Sequence, residues 1–467
     1  MLRKLVLLAL LSLPFVGCAS LDAPYVAPAP PAPEAFATYG ASGLAEEPGA
    51  EPRWWLRFSD PALAELIDRA LAENLDVREA VARVEAARAV LGGARQGFFP
   101  TGGAVASHVE RKLSEVEAAG GERRSGTASA GLSVGWEVDL FGRVRSAHRA
   151  AEARLGGVQA VAADIRFAVA AEVARTWFAL RAAEERAAFR ASSRDAQAAL
   201  AEIVAARFEE GLGDEADLAR ARTLLAEETA ALAAERHTVH VFENALAVLV
   251  GEAPGAWMPP AAAEAGPLSI DPIAVGDPAA LLRRRPDVRA AERALAAETA
   301  EIGIATAGLF PQVRLGGFLG FVAGGAGDLG TAASESWLVA PSITWGLFDL
   351  GRVRADIRRS RAESEAALAV YERSVLGALE DVQNALSALA SAQEILGATD
   401  AQLREARRAA GLVETRYLEG ATGYFELLDA RRAAVRAEIA RVDGLAGHRI
   451  ATVDLFRALG QGPEEAP

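Results

Sequence analysis

A single cysteine in 467 residues excludes a disulfide framework and any cysteine-built zinc or iron–sulfur site. His108, His148, His237, His240 and His448 are too scattered to serve as a metal ligand set. Only His237 and His240 fall at helical i, i+3 spacing, no third ligand is evident near them, and they read as surface residues. Neither metal nor other cofactor is expected. Positive charge is short: the formal net charge is −14, the wrong sign for a chain whose task is to grip nucleic acid. Aromatic residues are only 6% of the chain. Beyond the first twenty residues no apolar run approaches the ~18 residues that a membrane-spanning helix needs. A polytopic helical transporter is thereby excluded, but a membrane β-barrel, with its weaker strand signal, is not. Proline is missing from 101 to 253 and again from 342 to 462. Ala, Leu, Glu and Arg fill those stretches, the composition of long helices.

What is present begins with an export signal. Arg3 and Lys4 precede an apolar segment from Leu5 to Val16, and residues 1–17 read as a signal peptide. Phe15-Val16-Gly17-Cys18 resembles a bacterial lipobox, in which the cysteine is acylated and becomes the mature N-terminus. The alternative is ordinary cleavage near Ala19 with an incidental cysteine. Residues 18–53, with five prolines between 24 and 33, read as a lipidated tether.

Internal repetition is the strongest pattern. Asp76-Val77-Arg78 through Gly97-Phe98-Phe99-Pro100 recurs as Asp287-Val288-Arg289 through Gly308-Leu309-Phe310-Pro311, an offset of 211. Trp136 with Gly142-Arg143-Val144-Arg145 recurs as Trp345 with Gly351-Arg352-Val353-Arg354, an offset of 209. Arg207 to Gly211 recurs as Arg416 to Gly420, again at 209. The chain therefore divides into one copy over 54–253, a connector over 254–278, a second copy over 279–461 and a tail over 462–467. In each copy one helix, 144–209 or 353–418, would extend on the order of 100 Å at 1.5 Å per residue. Helices over 214–250 and 422–459 follow each Glu-Gly turn, and shorter ones over 75–97 and 286–309 precede each Phe-Pro.

Between each Phe-Pro and Gly-Arg-Val-Arg the period changes from 3.6 to 2. Leu132, Val134, Trp136, Val138 and Leu140 alternate with Ser133, Gly135, Glu137 and Asp139. Strands are expected at about 103–112, 129–140, 312–322 and 335–348, close to the length of a transmembrane β-strand. Trp136 and Trp345 would suit the membrane interface. A soluble hairpin pair with one buried face shows the same alternation. Four strands cannot close a barrel in lipid, so such a chain must oligomerise: two copies give eight strands, three give twelve and leave a channel.

Several motifs together carry a family resemblance: Trp54-Trp55, Phe58-Ser59-Asp60-Pro61, Leu282-Arg283-Arg284-Arg285-Pro286-Asp287-Val288, Trp345 to Arg354, and Leu427-Leu428-Asp429-Ala430-Arg431. Over residues 52–461 the chain resembles the outer-membrane factor (TolC-like) efflux lipoproteins. The resemblance implies a mainly α fold with a membrane β-barrel: a homotrimer whose twelve strands form the barrel and whose helices form a periplasmic tunnel. It also implies a periplasmic adaptor, an inner-membrane RND-type pump, contact with outer-membrane lipid and no enzymatic activity. Ala19 rather than Asp after Cys18 implies release to the outer membrane. The Glu-Gly turns, with Gly211, Leu212, Gly213, Gly420, Ala421 and Thr422, are the expected adaptor-contact tips. Phe425, Asp429 and Arg432, at i, i+4 and i+7, share a helix face and are the expected periplasmic gate; the first copy has Ala216, Arg220 and Thr223 there. Arg283 to Arg285 are expected to form salt bridges. A type I protein-secretion channel and a non-pore structural periplasmic lipoprotein remain the competing readings.

Overall fold

The computed structural model describes residues 25–28, 33–45, 51–119, 121–260 and 272–462. Cys18 and the signal segment lie outside the described residues. The elements in chain order are α1 (Pro61–Glu73), α2 (Leu75–Gln96), β1 (Thr101–Lys112), β2 (Arg124–Val138), α3 (Arg143–Glu209), α4 (Glu215–Leu249), α5 (Pro278–Arg284), α6 (Pro286–Ala307), β3 (Gln312–Ala323), β4 (Glu335–Thr344), α7 (Leu350–Leu418) and α8 (Tyr424–Ala458). No helix among the described residues is long and apolar enough to cross a membrane. The expected helices are found within a few residues at each end. Two strand limits move. β2 starts at Arg124, five residues early, and β4 stops at Thr344, so Trp345 falls just beyond it.

The chain separates into two compact units. The first holds residues 83–159 and 290–372 with the first described N-terminal segment, and it contains one antiparallel sheet in the order β1-β2-β3-β4. Thr101 faces Gly135 in the first hairpin and Gln312 faces Thr344 in the second. Those pairs are related by the 211 and 209 offsets read from the sequence, so the two hairpins share one register.

Register also sorts the side chains. Leu132 lies opposite Ala104 and Leu319, and Leu319 lies opposite Trp337. Val134, Leu315, Val339 and Ile343 occupy the same face, all of them exposed large hydrophobics. The other face is mixed: it carries Ser107, Ser129, Ser133, Gln312, Arg314 and Ser342 together with Val105, Val109, Val322 and Leu338, and Ser107 and Ser129 share a 2.8 Å hydrogen bond. A soluble hairpin pair would bury its apolar face; this one leaves it open. β1 and β4 are the two edges of the sheet.

The glycines at 97 and 308 show why the repeated motifs travel together. A Cβ added at Gly97 would meet Val144 at 3.0 Å, and one at Gly308 would meet Val353 at 3.2 Å. Each Phe-Pro junction thus packs on the valine of its own Gly-Arg-Val-Arg. Asp139 closes the first junction by accepting the N–H groups of Val144 and Arg145 at the start of α3.

The second unit holds residues 30–82, 160–289 and 373–467. The Trp54–Phe58 turn buries Trp54, Trp55 and Phe58, with Trp54 stacked on Phe456 and Phe58 against Phe178. Asp60 caps α1 through Oδ1, which accepts from Ala62 and Leu63, while its Oδ2 accepts the Trp177 indole N–H at 2.8 Å. Apolar residues recur along α1 at 62, 63, 66, 67 and 70, one buried stripe.

Parts of the segment read as a tether are held against the protein. Tyr25 packs against Ala153, Ala296 and Ala297, and Tyr371 donates to the Pro28 carbonyl. Leu44–Ala45 pairs in parallel with Ile273–Ala274. Backbone pairing and tyrosine packing hold a stretch that composition alone marks as loose.

Candidate functional site at the helix tips

The tips are paired turns of one design. In the first, Gly211 sits at φ +75° and Leu212 N–H returns to the Arg207 carbonyl at 2.8 Å. In the second, Gly420 sits at φ +72° and Ala421 N–H returns to the Arg416 carbonyl, also at 2.8 Å. This six-to-one bond with a left-handed residue is the Schellman stop, and the positive φ is why glycine stands at both places. Leu212 is 73% exposed and Gly213, Gly420 and Ala421 are exposed with it. Thr422 is half-buried. The helices that follow start differently. Asp214 accepts the Ala216 N–H and caps α4, whereas Gly423 gives α8 no side-chain cap.

Behind the second tip, α8 presents two kinds of residue. Leu427 and Leu428 are buried, while Phe425, Asp429 and Arg432 are exposed, Phe425 to 65%. Glu426, off their i, i+4, i+7 spacing, is exposed as well. Arg432 does not pair with Asp429. Its guanidinium reaches Glu227 of α4 at 3.4 Å, so second-copy α8 is tied to a first-copy helix. Arg431 pairs with Glu414 of α7 at 2.8 Å. Tyr424 packs against the cluster of Ala201, Val204, Leu218 and Ala221, and its hydroxyl is buried without a hydrogen-bond partner. Burial, then Tyr417 and Asp217, raises that phenol above its ordinary range. Sequence reasoning missed Glu227 and Tyr424, because neither belongs to a repeated motif.

Ala216, Arg220 and Thr223, the first-copy counterparts, are exposed too. Arg220 pairs along its own helix with Asp217 at 3.3 Å, and the Thr223 hydroxyl donates to the Ala219 carbonyl. This face has no aromatic ring and makes no bond to another helix among the described residues.

Trp136 and Trp345 do matching work in the two hairpins. Each indole N–H donates at 3.1 Å to a backbone carbonyl ahead of Phe-Pro, Phe98 for Trp136 and Leu309 for Trp345. The bond ties the end of a strand to the end of a helix, a reason for tryptophan that alternation alone does not reveal.

Of the three arginines at 283–285, only Arg285 is buried. It makes paired hydrogen bonds with Asp287, reaches Asp381 at 2.7 Å, and donates to the carbonyls of Ala378 and Ala458. Burial raises the Asp287 carboxyl, but the hydrogen bond and charge of Arg285 outweigh it and hold Asp287 below the usual range. Asp164, which lines one cavity with Arg285, Asp287 and Asp381, is pushed up by burial and then by the charge of Asp287. No cluster of three or more His, Cys, Asp or Glu residues suited to a metal occurs among the described residues. His237 and His240 are exposed, and His240 pairs with Glu243.

Comparison with known proteins places this geometry. Residues 66–252 and 278–461 match the family described as Outer membrane efflux protein. The chain is 31% identical over 453 residues to outer membrane protein OprJ of Pseudomonas aeruginosa, covering 96% of this chain and 94% of that protein. It is 32% identical over 468 residues to the pyoverdine export outer membrane protein OpmQ of Pseudomonas putida, covering 98% and 97%. Its structure matches that of the outer-membrane channel OprN with a TM-score of 0.88 at 35% identity, covering 95% of this chain and 99% of that one.

Proposed function

The chain belongs to the outer membrane efflux protein family and is the outer-membrane component of an efflux system; we propose that three copies close a twelve-stranded barrel and conduct small molecules passively from an inner-membrane pump and a periplasmic adaptor. The observation that carries this reading is the open, two-faced sheet. One face is apolar and unburied, the other mixes Ser, Gln and Arg with Val105, Val109, Val322 and Leu338, and the edges β1 and β4 are unpaired among the described residues. In hydrocarbon each unpaired backbone group costs several kcal/mol, so the edges require partner strands. Cys18, if acylated, adds a lipid anchor, and Trp136 and Trp345 sit at the junction between the barrel and the periplasmic helices. The tips at Gly211 to Gly213 and Gly420 to Thr422 meet the adaptor.

The gate is the exposed face of α8. Three chains present a ring of Phe425 and a ring of Asp429, an apolar constriction beside a charged one. Exposure of these side chains, with Leu427 and Leu428 turned inward, supports the assignment. Conductance in planar bilayers tests it. Phe425→Ala with Asp429→Ala should raise resting conductance and admit large antibiotics such as vancomycin. A channel with wild-type conductance and an intact trimer would remove this face from the gate. Failure of the wild-type protein to conduct at all would remove the channel reading itself.

A further inference from the structure

The outer turn of the first hairpin carries a charge arrangement that the barrel does not need. Lys112 and Arg124 stand directly opposite each other, the last register pair of β1 and β2. Their positions belong to the face of Leu132, Val134 and Trp136, the unburied apolar face, which in a membrane barrel meets lipid. Both residues are exposed. Like charges directly opposite across two strands destabilise the pairing. A chain that keeps two cations there has something negative to set against them.

The available carboxylates do not supply it. Glu117 is occupied by the Ser114 backbone and hydroxyl in a capping box. Glu110, two residues along the same face, lies 3.7 Å from His108. Among the described residues no carboxylate comes within ion-pair distance of Lys112 or Arg124. The flanking cations are engaged differently: Arg111 donates to the Ser125 hydroxyl and Arg123 to the Leu113 carbonyl. Lys112 and Arg124 alone are left presented outward.

The second hairpin is the internal control. At the 211 and 209 offsets, Lys112 and Arg124 become Ala323 and Ala333, and Arg111 and Arg123 become Val322 and Ala332. Its turn, 324–334, carries only Asp328 as a charge. The two hairpins share a register, so strand pairing does not call for the cations. They occur once per chain, at the hairpin end away from the helices, where a barrel meets the outer leaflet.

We propose that Lys112 and Arg124 form a binding site for the phosphate of an anionic lipid headgroup in the outer leaflet, one site per chain. The site rests on the barrel reading given above. A guanidinium supplies paired donors to phosphate oxygens and the ammonium a second point charge, while the acyl chains run along the apolar face below.

Native mass spectrometry of the full-length protein in detergent tests this, with bisphosphorylated lipid A as probe and phosphatidylethanolamine as comparison. The wild-type protein should retain one lipid A per chain in preference to phosphatidylethanolamine. Lys112→Gln with Arg124→Gln should weaken retention by about tenfold, the loss of roughly one charge-assisted contact or more. Asp328→Asn in the second hairpin should leave it unchanged. Equal retention by wild type and the double variant would overturn the site. Displacement of lipid A by millimolar inorganic phosphate would also overturn it, because the site would then recognise a free anion rather than a lipid. Bilayer conductance on the same preparations reports separately on the channel. Conducting channels without lipid A preference refute the site and leave the channel reading standing.

Discussion

Asn74 and Arg285 occupy the same place in the two copies, 211 residues apart, and make the same bond with different chemistry. The Asn74 amide donates to the Leu249 carbonyl at 3.0 Å, and the Arg285 guanidinium donates to the Ala458 carbonyl at 3.1 Å. Leu249 and Ala458 are themselves 209 residues apart, in the last turns of α4 and α8. Each bond fastens the start of a short helix to the end of the helix that follows a tip. The next turns match as well, with Gly251 at φ +76° and Gly460 at φ +62°. Duplication has kept the bond and let its cost diverge. The first copy uses a neutral amide whose oxygen also accepts the N–H groups of Asp76 and Val77. The second buries a cation, with 10% of its side chain exposed, and needs Asp287 and Asp381 to neutralise it.

The equivalence of the copies is tested most severely by extending it outside the chain. Within the sheet, Val134 of β2 faces Gly317 of β3. If three chains close the barrel by repeating that seam, the equivalent pair is Ile343 of β4 against Ala106 of β1 in the next chain. Ile343→Cys combined with Ala106→Cys should then form disulfide-linked dimers and trimers on oxidation, visible on denaturing gels and collapsed to monomer by reductant. A one-residue displacement supplies the control: Ile343→Cys with Ser107→Cys puts the two thiols on opposite faces and should not cross-link. Efficient cross-linking of that second pair alone would break the register equivalence.

The two helix junctions should then separate by magnitude. Arg285→Ala leaves Asp287 and Asp381 without their buried partner and should cost about 3–5 kcal/mol. Asn74→Ala removes a cap acceptor and one donated bond, about 1–2 kcal/mol. Thermal or denaturant unfolding of the detergent-solubilised protein reads both. Equal costs would mean that the charged network adds nothing to the shared bond. Arg283→Ala, at an exposed position, should change stability by no more than about 0.5 kcal/mol.

Acid should weaken the second junction and spare the first. Asp287 is held below the usual carboxylate range, so its contribution is present above the unfolded pKa of about 3.9 and is lost as pH falls through the lower folded value. Asp164 has the opposite sign. Its raised folded value means that protonation on acidification relieves a cost, at a higher pH than the Asp287 loss. Stability should therefore hold or rise slightly on approach to pH ~4 and fall below it. Asp287→Asn should flatten the fall. A melting profile with the same acid limb in that variant would assign the acid lability elsewhere.

Much of this was legible in the sequence because the duplication supplies its own check. Offsets of 211 and 209 placed both hairpins, and the structure reproduces them as one register. Proline gaps and Gly211 and Gly420 located the long helices and their stops, since only a positive φ closes that turn. Strand ends were less legible. Leu140 and Leu347 continue the alternation past Val138 and Thr344, and nothing local to them says that the ladder has ended. The reason for Trp136 and Trp345 was hidden in the same way, because their partners are backbone carbonyls 38 and 36 residues earlier. Contacts between copies were beyond reach altogether. Arg432 has no repeated partner to betray that it bonds Glu227, and the motif that contains Arg285 does not reveal which of its three arginines is buried.

That Arg432 contact gives the smallest effect on stability and the sharpest contrast between copies. Among the described residues its counterpart, Thr223, bonds only within its own helix, whereas Arg432 links α8 to α4. Both partners are about half exposed, 46% for Arg432 and 55% for Glu227. A pair so placed contributes roughly 0–1 kcal/mol and is screened by salt. Arg432→Gln should therefore leave unfolding almost unchanged. If the α8 face is the gate, the same substitution should still raise resting conductance, because a weak contact suffices to bias a helix that has only a closed and an open position. Glu227→Gln should act alike, and the double variant should conduct no more than either single one, since each removes the same contact. Molar salt should shift the wild-type channel toward the variants after correction for bulk conductivity. Additive increases from the two substitutions would show that each charge acts on permeating ions by itself, and that the link between the copies has no part in holding the gate.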